Sequence, residues 1–139
     1  MGLNILEFDE LGNKPENVRE FDLKYEEYQK SLSLDDKIVL DARLGFYCQP
    51  KSFKVFLDVD DNVGAQRIRD NKRPTDYYAS MEEVLEKTKE RSQENRIRRQ
   101  KLYGVDIADM SNFNLIVTTG KTVPIEVDEI IEGFTKFQK

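Results

Sequence analysis

Asp41 and Arg43, two residues apart, are the first residues of this sequence whose types and spacing suit chemistry. A carboxylate can hold a hydrated metal ion and a guanidinium can hold a phosphate, so the two together can do both side by side. A second set of cations comes later, at Arg91, Arg96, Arg98 and Arg99. Arg91 and Arg98 stand two helical turns apart and share a face, from which they can clamp one polyphosphate. Taken alone, such a cluster reads as a solvated helix face balanced by Glu90 and Glu94. Arg67 is as well suited to laying its stem along an apolar patch as to touching a ligand. Cys48 has no base to activate it and reads as a small buried residue. The lone pair Gly120-Lys121 is no phosphate loop.

Composition narrows the classes. With 139 residues the chain is one domain's worth, and 38% apolar against 35% charged residues suits a folded protein with long exposed helices rather than a disordered one. A formal net charge of -5 argues against a nucleic-acid polymer as partner. There is one cysteine and no histidine, which excludes disulfide frameworks, zinc sites built on His or Cys, and His-based triads within one chain. No apolar run reaches membrane-spanning length, and Met1-Gly2-Leu3-Asn4 lacks the features of a signal peptide. The expected location is the cytoplasm, with no membrane partner.

The elements that must position these residues follow from caps and periodicity. Asn4-Ile5-Leu6-Glu7 opens a short helix through Leu11, stopped by Gly12. A longer helix starts at Pro15, with Val18, Phe21, Tyr25, Tyr28 and Leu32 as one apolar stripe, so the two tyrosines are expected in the core. Lys37-Ile38-Val39-Leu40-Asp41 reads as a buried strand that delivers Asp41 and Arg43 at its carboxyl end, where parallel α/β sheets bind ligands. A helical turn follows near Phe46 to Cys48, then a second strand over Phe53 to Asp58 and a capped helix from Val63 to about Lys72. Ser80 opens the longest helix, which Gly104 stops after Tyr103. Its first half buries Met81, Val84, Leu85 and Thr88, and its charged second half is expected to project. An acidic connector leads to a third strand, Asn114 to Thr118, and Thr122 caps a last helix whose Val123, Val127, Ile130, Ile131, Phe134 and Phe137 form a buried face. This alternation fits a parallel sheet flanked by helices, an α/β fold with three strands.

The series Asp41-Ala42-Arg43-Leu44-Gly45-Phe46, then Lys54 to Asp60 with Val63 to Ile68, then Arg91 to Arg98, and Leu102-Tyr103-Gly104-Val105-Asp106 before the last strand resembles the cytidylate kinases. The similarity is to their short archaeal-like branch, and it runs in order over nearly the whole chain. It implies a P-loop-NTPase-like nucleoside-monophosphate kinase fold, in one partial kinase domain over residues 1–139. Within it, residues 2–32 would be the monophosphate-binding helices, 37–73 and 114–139 the core, and 80–104 the long helix with the lid. The family transfers the γ-phosphoryl of ATP to CMP or dCMP with Mg²⁺. The resemblance makes Arg43 and Asp22 acceptor-binding residues and places Asp41 near the metal through water. Arg67 would lie on the ATP side, and Arg91 and Arg98 in a lid that closes on the phosphates and excludes water.

Two departures stand out. The family opens with a strand, a loop of the type G-x-x-x-x-G-K-S/T and a helix, a first βαβ unit that this sequence lacks. That strand lies in the family between those corresponding to Lys37-Asp41 and Phe53-Asp58. Three arrangements follow: Met1 is an internal start within a longer kinase, the two strands pair directly, or a complementary chain or segment fills the slot. The first is the expectation, and with it that this polypeptide is inactive by itself. The second departure is Ala42 and Leu44, where many bacterial members carry Gly and Asp. The rival reading is a non-catalytic nucleotide-binding or protein-interaction module derived from such a kinase.

Overall fold

A computed structural model of the protein describes residues 15–33, 35, 37–71 and 78–139. The short helix expected from Asn4, like the stretch from Lys72 to Tyr77, lies outside these residues. The chain divides into two compact units, one up to Ser52 and one from Phe53 onward.

In the first unit, helix α1 spans Pro15–Ser31, as its capping signal and stripe required. Its inward face is not the apolar one. Gln29 is 0% and Glu26 3% exposed, whereas Tyr25 and Tyr28 are 51% and 61% exposed. At 3.6 residues per turn, the buried row lies about a quarter turn from the stripe. The expectation that the tyrosines pack in the core is therefore corrected. The last turn of α1 is closed by the short helix α2, Gly45–Cys48, whose C-cap residue Gln49 donates from Nε2 to the carbonyls of Gln29 (2.7 Å) and Leu32 (3.0 Å). The Gln29 carbonyl also accepts from the Leu32 amide (3.4 Å), so the Gln49 side chain adds a second donor there and supplies one to the Leu32 carbonyl just past the helix end. Lys30 adds its ammonium over the Tyr47 ring, 4.8 Å from the centroid.

The strand expected over Lys37 to Asp41 is absent. Residues 37–42 carry no regular structure, and Val39 is 99% exposed. A short apolar run is a buried strand only where a ladder takes up its backbone groups and its side chains are covered. Neither condition holds here, and the sheet among the described residues has two strands rather than three.

Those strands belong to the second unit. Strand β1 (Val55–Asp58) runs parallel to β2 (Leu115–Thr118), pairing Val55 with Leu115 and Asp58 with Thr118. Asn114 locks the register: its Oδ1 accepts from the Lys54 amide (2.9 Å), while the amides of Asn114 and Leu115 donate to the Lys54 carbonyl (2.8 and 3.1 Å). Helix α3, Asp61–Asp70, is capped by Asp60, whose Oδ1 accepts from the amides of Asn62 and Val63. Helix α4, Met81–Tyr103, has the expected Ser80 cap, with Glu83 reaching back to the Ala79 amide, and ends at Gly104 in the left-handed region, φ 69°. Val84 of α4 and Ala65 of α3 are buried, and the two helices pack together.

Helix α5, Val123–Phe137, departs from expectation twice. Thr122 makes no side-chain cap bond; the Glu126 carboxylate accepts from the Gly120 and Lys121 amides instead (2.8 and 3.1 Å). Its apolar face is only partly covered, because a two-stranded sheet offers little to cover it. What contact there is centres on Gly133, where a Cβ would stand 3.0 Å from Leu115 and 3.1 Å from Phe53, and on Phe53, whose ring lies 5.6 and 5.3 Å from those of Phe134 and Phe137. No helix among the described residues is long and apolar enough to cross a membrane.

The exit of α4 is held by a fork: Arg96 donates from Nε (2.8 Å) and Nη2 (2.6 Å) to the two oxygens of Asp106, which also accepts from the Ala108 amide. The Arg96 hydrogen bond is the main cause holding the Asp106 carboxyl below its ordinary value, with the Ala108 amide next. A depressed native pKa gives stability that is present above the unfolded value and is lost as pH falls through the folded one. Arg96→Ala is therefore expected to lower Tm at neutral pH, and the two melting curves to converge below about pH 4. Thermal melts by circular dichroism across pH check this; a difference that persists at acid pH would assign Arg96 a packing role instead.

Candidate functional site

In the first unit, Asp41 and Arg43 lie on an exposed turn rather than at a strand end. Leu44 anchors that turn: its side chain is buried and its carbonyl accepts from the amides of Tyr47 and Cys48 (3.0 and 2.9 Å), starting α2. The turn folds back on itself closely, since a Cβ on Gly45 would lie 3.7 Å from both Ala42 and Leu40. Arg43 is thus presented by a fixed neighbour, although the strand meant to present it is absent. Asp22, half-buried, shares a face of α1 with Glu26 and Gln29. Neither Nε2 nor Oε1 of Gln29 has a hydrogen-bond partner among the described residues. Cys48 is buried beside this row, and burial first, then the Glu26 charge, pushes its thiol pKa up, the opposite of an activated nucleophile.

In the second unit, Arg67 lies exposed on α3, and its guanidinium makes no hydrogen bond or ion pair among the described residues. On α4 the arginines are sorted by use. Arg96 is committed to Asp106 and Arg99 is buried, whereas Arg91 is exposed with its guanidinium unpaired among the described residues. The charged half of α4 therefore does not project along its whole length. The fully exposed stretch runs from Lys89 to Glu94, and the helix returns to cover at Asn95, Arg98 and Arg99.

Asn95 links the two arginines that spacing had paired. Its Nδ2 donates to the Arg91 carbonyl (2.8 Å) and its Oδ1 accepts from Arg98 Nη2 (3.2 Å). All three residues fall on one face, so one arginine is held and the other left extended toward solvent. Sequence reading passed over Asn95, whose signal was its place between Arg91 and Arg98 at helical spacing. It also passed over Glu26 and Gln29, whose signal was a polar row parallel to the apolar stripe. The described residues bring Arg91 and Arg98 together, and Asp41 beside Arg43, each within its own unit. They gather no group of three carboxylates or thiols able to hold a metal ion.

No family model matches the chain, and neither does a solved structure. Curated relatives do. The chain is 34% identical over 137 residues to an S-adenosylmethionine-dependent nucleotide dehydratase of Lacinutrix mariniflava, a match covering 97% of this chain and 27% of that protein. It is 32% identical over 134 residues to the cytidylate kinase of Pyrococcus horikoshii, covering 95% of this chain and 65% of the kinase. For the cytidylate kinase of Pyrococcus abyssi the identity is again 32%, over 95% of this chain and 69% of the relative. The chain thus spans about a quarter of the first of these proteins and about two thirds of the kinases. With 32% identity over 134 residues, covering 95% of this chain and 69% of the Pyrococcus abyssi relative, the chain belongs to the cytidylate kinase family.

Proposed function

We propose that this chain forms the acceptor-binding and lid portion of a nucleoside-monophosphate kinase that passes the γ-phosphoryl of ATP to CMP or dCMP. The observation that carries the reading is the employment of the α4 arginines. Arg91 stands exposed, its guanidinium unpaired among the described residues, within a helix that commits Arg96 to structure, and Asn95 holds Arg98 on the same face. Two guanidiniums so placed suit the spread negative charge of a phosphoryl group in transfer, where catalysis is mostly positioning and charge neutralisation.

In this reading Arg43 takes the acceptor's phosphate from its exposed turn, and Asp22 faces the acceptor from α1. Arg67, whose guanidinium has no partner among the described residues, meets the ATP side. Asp41 is a single exposed carboxylate, and that suits Mg²⁺, which keeps several of its waters and needs only one or two protein carboxylates beside substrate phosphates. The ion supplies charge neutralisation between donor and acceptor. The phosphate cradle of the donor and the central strand come from a complementary segment or chain, toward which the unpaired edge of the two-stranded sheet and the exposed Leu57 and Ile116 are suited. The reaction belongs in the cytoplasm, where both nucleotides are found.

A second reading is a nucleotide-binding module without transfer of its own, serving another nucleotide enzyme. It is favoured by the match of nearly the whole chain to about a quarter of an S-adenosylmethionine-dependent nucleotide dehydratase.

Isothermal titration of these 139 residues is expected to show CMP binding in the range of about 1–100 μM without ATP binding, with Arg43→Ala weakening CMP about tenfold or more. Failure to bind CMP would leave only the interaction module. Coupled phosphoryl-transfer assays separate the two readings further. A polypeptide that joins this sequence to a G-x-x-x-x-G-K-S/T segment is expected to phosphorylate CMP, and Arg91→Ala within it to lower kcat by about 10²–10³. Transfer by the 139 residues alone would show that the donor phosphates are held by other means.

A further inference from the structure

We draw no further inference here: the strongest candidate, the exposed apolar surface patch of Val123, Val127, Ile131 and Phe134 along helix α5, carries nothing because nothing in the structure shows what covers it.

Discussion

Two parallel strands cannot be joined by a tight turn, and that constraint organises the second unit. Pairing Val55 with Leu115 in parallel obliges the intervening residues to travel back along the sheet, and α3 and α4 are part of that return path. The arginine helix is therefore hung from the ladder rather than attached to it. Two polar devices fix how it hangs. Asn114 pins the point where the path rejoins the sheet, through two hydrogen bonds with Lys54, to which the Leu115 amide adds a third. The Arg96–Asp106 fork pins the exit of α4 just beyond Gly104. Both are made of short, directional groups, so they set position where the thin apolar contact beneath α5 cannot.

The first unit obeys a different economy. α1 gains little from burying its stripe, since Tyr25 and Tyr28 remain exposed, and an unpaired amide such as Gln29 costs about 1–3 kcal/mol. Against a typical net stability of about 5–15 kcal/mol for a domain, that is a large term. The seam with α2 offsets part of it through the Gln49 hydrogen bonds, which satisfy helix-end carbonyls, and through buried Leu44 and Cys48. The two Gln49 hydrogen bonds are directional, so they set the register of the seam while Leu44 and Cys48 supply its apolar contact.

What was legible in the sequence divides along the range of the forces involved. The start and stop of α4 were readable because Ser80, Glu83 and Gly104 act on backbone groups within one turn. The strands Val55–Asp58 and Leu115–Thr118 lay inside the expected runs, and the kinase resemblance carried by the Asp41–Arg43 turn and the arginine helix agrees with the relatives. Three features escaped. A strand is a property of its partner, so Lys37 to Asp41, apolar as it is, stays irregular without one. The inward side of α1 depends on what it faces, and there the polar row won over the apolar stripe. The Thr122 cap lost to Glu126, a competitor one turn into the helix whose longer carboxylate reaches two loop amides at once.

The arginines of α4 show how function can be separated from charge. Arg91, Arg96 and Arg98 are chemically identical and close in sequence, so composition and spacing alone treat them alike. Structure distinguishes them by what each guanidinium is already doing. A fork with both oxygens of Asp106 consumes the planar geometry that makes arginine a phosphate ligand, so Arg96 cannot hold an acidic ligand without releasing α4. Arg98 is held, with Asn95 accepting from its Nη2, whereas among the described residues the Arg91 guanidinium has no partner and only the Arg91 backbone carbonyl is engaged. The face at 91, 95 and 98 is thereby graded from held to extended. A graded face of this kind can meet a charged group first with the extended arginine and then fix it with the held one, and that order needs no rearrangement of the ladder from which the helix hangs.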